Sequence, residues 1–472
     1  MMNQYKKLFN DSLILAIGSF GSKLITFFLV GFYTYYLTTS EYGTADLLLN
    51  SINLALPIVS LSISEGVLRF VLDSSLEQEK EQLLYTALRI NSYGIGIVGG
   101  LLLIVYFLIG PGGISSTVWL FSFSLLILQS FQLIFMQYIK GLGKLKVYAS
   151  NGILLSLLTL LFGFLLFRQM QDKLTAYFCS LALANGLSLI FLIGNSSLSR
   201  WPTKANPMNK KQTKKLIHYS LPLIPNSAMW WVLTTSSRFI MTFFLGVASN
   251  GMYAAASKVP NLLSVIGSIF LQAWQLSAVE NHRKKNAAAF TQKVFNYYST
   301  LLILFSSLIL LFLDPLASIM LSKDFYYAKA YIPLLLISNF FSCISGFFGT
   351  TYIVVKKTRG VLTTSLVGAG VNLLASLLLI PTIGINGASL ASALGFFLIF
   401  YLRKYQTHQL TKSRLSTKRM SGQVILLLLQ IGLLYWSPVP KKGLFIVQLL
   451  LLIFMGLIGT LHQPLRKDYS NE

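Results

Sequence analysis

Three positively charged side chains fall inside long apolar stretches: Lys23, Arg238 and Lys258. A cation held away from bulk water has one obvious use, binding an anionic group such as a phosphate. Arginine does so with a planar fork and lysine as a point charge. Lys23 lies near the middle of the apolar run from Leu13 to Leu37, with the Ser22 hydroxyl beside it. A lysine stem lifts its ammonium only a few ångströms, too little to reach water from the centre of a ~30 Å hydrocarbon core. Lys23 therefore faces a wet cavity inside a helix bundle or pairs with a carboxylate on a neighbouring helix. Arg238 and Lys258 lie about eight and about seven residues from the nearer ends of their runs, ~12 and ~10 Å deep. Both are within snorkelling range, so a cavity and an interfacial position are open for each.

Few acidic residues are available to answer these charges. Asp46 is expected to pair with Lys23 or Lys258. Glu65 and Arg69 stand at i, i+4, as do Arg69 and Asp73, a spacing that suits a helical ion pair; a gate at the inner mouth is the other reading. Glu77, Glu79 and Glu81 read as a solvated turn. Pro57, Pro222, Pro225, Pro260 and Pro333 interrupt apolar runs, and each removes a backbone donor where a helix is expected. The first four are the expected hinges. Asn185, Asn226 and Asn372 read as hydrogen bonds between helices. Cys179 and Cys343 form no disulfide framework, and His218, His282, His408 and His462 have no ligand spacing, so no metal site is expected. No nucleotide-binding loop of the Gly-x-x-x-x-Gly-Lys-Ser/Thr pattern is present, and no cofactor is expected.

The elements that must hold these residues follow from composition. The 472-residue chain is 54% hydrophobic and 11% charged, with mean hydropathy +0.66. That is the profile of an all-α polytopic membrane protein; a β-barrel would alternate in ~10-residue segments. The predicted spans are 11–37, 42–68, 83–109, 115–139, 146–168, 172–195, 215–246, 251–279, 290–313, 328–355, 358–381, 385–404, 421–437 and 442–462, about 14 transmembrane helices of adequate length. The first is read as retained, since no signal-peptide cleavage pattern follows it. With the N-terminus inside, 29 of the 38 Lys and Arg residues fall in inner segments and six in outer ones. The positive-inside rule thus supports the span count and cytoplasmic N- and C-termini. The net charge of +24 then reports topology and contact with anionic lipid, and implies no nucleic-acid partner.

A basic, proline-containing loop from Ser196 to Lys215 divides the chain, and a second basic stretch from Tyr405 to Met420 precedes a final helix pair. The expected organisation is a six-helix bundle over 1–200, a second over 201–404, and a linker with two further helices over 405–472. The outer loops are short, the longest being Asp314 to Ala328. The halves echo one another: Ser22-Lys23-Leu24-Ile25 with Phe27-Phe28 matches Ser237-Arg238-Phe239-Ile240 with Phe243-Phe244, and Glu41-Tyr42-Gly43 matches Gly251-Met252-Tyr253. Two pseudo-symmetric bundles enclosing a central cavity fit this pattern.

Ser22-Lys23-Leu24-Ile25, Leu37-Thr38, Glu41-Tyr42-Gly43, Asp46-Leu47, Pro57, Glu65 and Arg69-Phe70, with Gly246, Gly251-Met252-Tyr253, Ala256 and Lys258 in the second half, resemble the polysaccharide transport family. That family holds the oligosaccharide-lipid flippases of the multidrug/oligosaccharidyl-lipid/polysaccharide superfamily. Its members often carry an acidic residue before the span-seven arginine; here Ser237 precedes Arg238, which leaves the partner of that arginine open. The resemblance implies movement of an undecaprenyl-diphosphate-linked oligosaccharide across a bacterial cell membrane by alternating access, for capsule, exopolysaccharide or O-antigen synthesis. Lys23, Arg238, Lys258 and Ser22 would meet the headgroup, and a polysaccharide polymerase and chain-length machinery would be partners. The rival readings are a lipid II or other cell-wall precursor flippase, a cation-coupled multidrug exporter, and a membrane-embedded glycosyltransferase or polymerase. The exporter would want mid-membrane carboxylates, and the transferase a large outer loop or catalytic cluster.

Overall fold

In a computed structural model, every regular element among the described residues is helical. The structure describes residues 2–110, 113–196, 210–281, 286–355, 357, 359–411, 415–436 and 441–461. Eight described helices are long and apolar enough to cross a membrane, and ten spans result if each of two bent pairs counts as one. Helices α1 (Met2–Tyr36), α9 (Leu223–Leu245), α17 (Lys418–Trp436) and α18 (Lys441–Leu461) occupy the remaining four predicted positions. The protein is a multi-pass, all-α membrane protein with the expected order of about fourteen spans.

The chain divides into two compact units, Met1–Ala254 and Ala255–Glu472. The first contains α1, α2 (Thr39–Val59), α3 (Ile63–Asp73), α4 (Glu77–Ile109), α5 (Ser116–Gly141), α6 (Leu145–Gln169), α7 (Lys173–Asn195), α8 (Lys210–Ser220), α9 and most of α10 (Val247–Ser257). Apolar surface gives membrane helices little reason to associate, so polar pairs and small residues position them. Asn91 of α4 donates to Ser130 of α5 at 3.0 Å. Gln132 of α5 donates to Ser188 of α7 at 2.6 Å, and Ser188 donates to Asn151 of α6 at 2.7 Å. One chain of side-chain bonds thus ties α5, α6 and α7. Asn185 instead donates to Leu181 O within its own helix at 2.8 Å.

The predicted span 42–68 is broken. α2 and α3 meet at 51°, and Leu61 and Ser62 at the break have φ of 48° and 51°. Residues with a Cβ adopt this left-handed region only at a cost. Pro57 lies one turn before the break, where its missing N–H has already weakened the ladder. The expected hinge is therefore a bend at Ser60–Ser62 prepared by Pro57. Pro222 is the N-cap of α9, and Pro225 lies in its first turn. The interruption expected inside span seven is the boundary between α8 and α9, where proline costs little. The acidic stretch Glu77–Glu81 is the first turn and a half of α4 rather than a turn, with acids favourably placed at a helix N-terminus.

The second unit holds α11 (Asn261–Asn281), α12 (Ala287–Leu311), α13 (Leu313–Met320), a 3-10 helix (Lys323–Tyr331), α14 (Ile332–Val354), α15 (Arg359–Ile383), α16 (Ile385–Thr411), α17 and α18. Pro260 closes the non-helical step Lys258–Pro260 between α10 and α11. The segment expected to be an outer loop, Asp314 to Ala328, is instead α13 and the start of the 3-10 helix, clasped by Lys329 and Asp314 at 2.7 Å. Trp274 stacks on Phe347 with centroids 4.9 Å apart, joining α11 to α14. α17 is tied to α12 by two glutamines. Gln430 accepts from Ser307 Oγ at 2.7 Å, and Gln423 accepts from Thr300 Oγ1 at 3.3 Å while donating to Met455 O of α18 at 3.0 Å.

Replacing Gln430 by leucine should loosen this attachment by about 0.6–1.7 kcal/mol, the range for interhelical polar pairs in membranes. Gln423→Leu should add a comparable loss. The measurement is thermal unfolding of the detergent-solubilised chain; unchanged melting in the double variant would show that apolar contacts alone hold α17.

Candidate functional site

The intramembrane charge contacts of the first unit converge on Asp46. The sequence starts α2 firmly: Thr38 and Glu41 form a capping box, with Glu41 N to Thr38 Oγ1 at 3.2 Å and Thr38 N to Glu41 Oε2 at 2.8 Å. This fixes the phase of the helix and places Tyr42, Gly43 and Asp46 along one side. α9 brings Arg238, and α10 brings Asn250, Gly251 and Tyr253.

Arg238 Nη1 donates to Asp46 Oδ2 at 2.6 Å. The same oxygen accepts from Asn250 Nδ2 at 3.1 Å and from Asn50 Nδ2 at 3.1 Å. Asn250, wholly buried, also donates to Gly43 O at 3.0 Å. The guanidinium lies over the Tyr253 ring, 5.1 Å from its centroid, and Trp231 Nε1 donates to Asn50 O at 2.8 Å. Three donors and a ring face thus settle one largely buried ion pair, the condition under which such a pair is tolerated in a low-dielectric interior.

Glycine permits this approach. A Cβ on Gly43 would stand 2.1 Å from Val247 O, and one on Gly251 would stand 1.9 Å from Thr39 O. The backbones of α2 and α10 therefore touch directly through the glycines of the two echoing motifs, Glu41-Tyr42-Gly43 and Gly251-Met252-Tyr253. The echo in the sequence is a contact in the structure.

The expected pairing of Asp46 with Lys23 or Lys258 is corrected: Asp46 is held by Arg238, and in turn is the partner of Arg238 that Ser237 cannot be. Lys23 is exposed on α1 and makes no hydrogen bond or ion pair among the described residues. Ser22 is half-buried, and its carbonyl accepts from Thr26 Oγ1 at 2.8 Å and from Ser156 of α6 at 3.3 Å. Lys258 lies in the second unit at the break before α11 and is half-buried. At the other end of α3 from the break, Arg69 pairs with Asp73 at 3.4 Å, whereas Glu65 accepts from Gln137 Nε2 at 2.9 Å. Of the two i, i+4 pairings in that stretch, the second is the one formed. Sequence reasoning missed Asn50 and Asn250. Their signal is spacing: Asn50 stands four residues after Asp46, and Asn250 directly precedes the Gly251-Met252-Tyr253 echo.

Among the described residues no group of three His, Cys, Asp or Glu side chains is placed to hold a metal. What the arrangement can do is hold α2 against α9 and α10 with charge and glycine contact, while leaving Lys23 unneutralised among the described residues.

A family model described as "Polysaccharide biosynthesis protein" matches residues 8–275, more than half of the chain. Among solved structures the fold is similar to a lipid II flippase, MurJ, in an inward closed conformation, with a TM-score of 0.71 at 13% identity, covering 95% of this chain and 98% of that one. It is also similar to a point mutant of the Vibrio cholerae MATE transporter VcmN, at 0.60 and 14%, covering 86% and 96%. A MOP superfamily transporter from Pyrococcus furiosus, whose binding pocket is described as having reverse polarity, matches at 0.56 and 11%, covering 88% and 96%. At these identities the likeness is one of fold. No curated protein matches in sequence.

Arg238→Gln should destabilise the detergent-solubilised chain by about 3–5 kcal/mol, because it strands a buried carboxylate. Adding Asp46→Asn should recover a large part of that loss. Thermal melts of the two singles and the double give the coupling directly, and additive losses would mean the two residues do not act as a pair.

Proposed function

The chain belongs to the polysaccharide biosynthesis protein family, and on that premise we propose that it is a flippase for an undecaprenyl-diphosphate-linked oligosaccharide, moving the headgroup from the cytoplasmic to the outer leaflet by alternating access. The observation that carries this reading is Lys23, an uncovered cation in the middle of an apolar helix with no carboxylate against it among the described residues. Such a side chain is stable where water or an anionic headgroup meets it, and a sugar diphosphate supplies that charge. Arg238, Lys258 and Ser22 complete the proposed headgroup contacts.

Arg238 is committed to Asp46 in the conformation described. In the orientation with cytoplasmic termini, this pair and the Gly43–Gly251 contact lie toward the outer face. We therefore assign the pair a gating part: parting α2 from α9 and α10 frees the guanidinium for phosphate at the same time as it opens the path outward. The breaks at Ser60–Ser62 and at Lys258–Pro260 are the hinges of that motion, with Pro57 and Pro260 as their local cause and Pro222 and Pro225 letting α9 swing at its start. Glu65 and Arg69 belong to the inner mouth. The setting is a bacterial plasma membrane, with a polysaccharide polymerase and chain-length machinery downstream.

A second reading has specific support. The fold likeness to a lipid II flippase extends over nearly the whole chain, and a cell-wall precursor presents the same diphosphate chemistry. A cation-coupled exporter is less well supported, because the intramembrane carboxylate Asp46 is already held by Arg238 and two asparagines.

Deletion in the native host should leave an undecaprenyl-diphosphate oligosaccharide on the cytoplasmic leaflet, measured by extraction and mass analysis of lipid-linked intermediates. Accumulated lipid II would select the second reading, and lost dye efflux with unchanged intermediates the exporter. Lys23→Ala should abolish polymer export at normal protein levels, while Lys23→Arg retains part of it. Export at the wild-type level in Lys23→Ala would remove Lys23 from the headgroup site.

A further inference from the structure

The second unit carries a buried cation that no side chain of α14, α15 or α16 can neutralise. Arg403, on α16, is 2% exposed. Its Nε donates to Thr364 Oγ1 at 3.0 Å, its Nη1 to Ser345 O at 2.9 Å, and its Nη2 to Ser365 Oγ at 3.0 Å and Val361 O at 3.5 Å. Every one of these acceptors is neutral. The sequence shows why: between Asp324 and Asp468 it contains no aspartate or glutamate. Hydrogen bonds orient the guanidinium, but its charge is left unanswered, which is expensive away from water.

An open cleft of about 620 Å³ lies farther along the same helices, lined by Tyr352, Lys357, Arg359, Gly360, Gln406 and Gln409. The three helices that hold Arg403 also build this cleft. Gln406 follows Arg403 by three residues on α16. Gly360 precedes Thr364 by four on α15. Tyr352 follows Ser345 by seven on α14. Each spacing keeps the cleft residue on the face that holds Arg403. Tyr352 donates to Gln406 Oε1 at 2.6 Å, bracing the floor. A Cβ on Gly360 would stand 2.2 Å from the Tyr352 ring, so the cleft has this shape because residue 360 has no side chain. Lys357 and Arg359 are exposed at its rim and form no ion pair among the described residues. Donors and positive charge line the cleft, and no carboxylate does.

The geometry points to a binding site for a phosphate-bearing anion in this cleft. Lys357 and Arg359 contact the phosphate, Gln406 and Gln409 hydrogen-bond it, and Arg403 behind them supplies the field that makes the cleft attractive to a negative charge. The cleft lies where α14 ends, α15 begins and α16 ends, at the basic end of these spans. That is the depth at which anionic lipid headgroups sit. A headgroup phosphate and a free phosphate share the chemistry, and only their source differs. This site is made of residues other than Lys23 and Arg238, so it stands or falls independently of the flippase reading.

The test uses the full chain purified in detergent, with two probes: phosphatidylglycerol retained in native mass spectrometry, and inorganic pyrophosphate binding by calorimetry. Lys357→Gln/Arg359→Gln changes only exposed side chains; Lys323→Gln/Lys418→Gln removes the same charge elsewhere and serves as the control. The proposal expects a loss of at least fivefold in binding in the first variant relative to the control, restored in Lys357→Arg/Arg359→Lys. Loss confined to phosphatidylglycerol assigns the site to a lipid headgroup. Loss confined to pyrophosphate assigns it to a free phosphate. Equal binding of both probes in the variant and the control would overturn the proposal.

Discussion

A cation inside a membrane must have its charge answered, and this chain has few ways to do so from its own sequence. With 38 basic and 14 acidic residues, most positive side chains find their answer at the membrane surface, in water and anionic lipid. Those that lie deeper include three distinct cases. Arg238 is answered by a carboxylate from another helix. Arg403 is only oriented, by hydrogen bonds to neutral oxygens, and no carboxylate meets its charge. Lys23 is answered by nothing among the described residues. These are three points on one scale, from a neutralised pair to a charge with no partner among the described residues.

The Asp46–Arg238 pair shows how such an answer doubles as a mechanical contact. Its strength grows as water is kept away; both side chains are mostly buried, and beside them Gly43 and Gly251 let the α2 and α10 backbones touch. The dependence also runs the other way, since the glycine contact alone buries little apolar area and would be weak in lipid, where helix association lacks a hydrophobic drive. Charge and shape therefore act together, and both are lost once the helices part. Packed contacts of this kind are bistable more readily than they are continuously deformable, which is the property the proposed gate requires.

How much of this is legible in the sequence varies with the range of the interaction. The helical spans follow from local hydropathy, and their order is as the sequence implies. The prolines mark breakage correctly at Pro57 and Pro260, because missing donors act locally. The left-handed Leu61 and Ser62 leave no compositional mark, since any residue can be forced there by packing. The partner of Asp46 lies 192 positions away, and charge alone gives no reason to prefer Arg238 over Lys23 or Lys258. Arg403 reads as part of an inner basic loop when span twelve ends at residue 404; α16 continues to Thr411, which carries the side chain into the bundle. Its sequence signal is a negative one, the absence of acids from Phe325 to Lys467, and a pattern of absence is easily overlooked when motifs are sought.

That absence bears on mechanism as well as on binding. A set of helices, α14–α18, that holds no carboxylate cannot bind a cation by the mid-membrane acids that a cation-driven exporter needs. It also cannot quench an incoming anion's attraction by offering its own cations an internal alternative. The first unit, by contrast, holds Asp46, and so can exchange one partner of Arg238 for another. If a diphosphate headgroup is moved, an exchange of partners is open to Arg238, which has a carboxylate to give up, and is not open to the cations of α14–α16, which have none on those helices. The uneven placement of acids along the chain thus separates a cation that has a carboxylate partner, Arg238, from the cations of α14–α18, which have none on those helices.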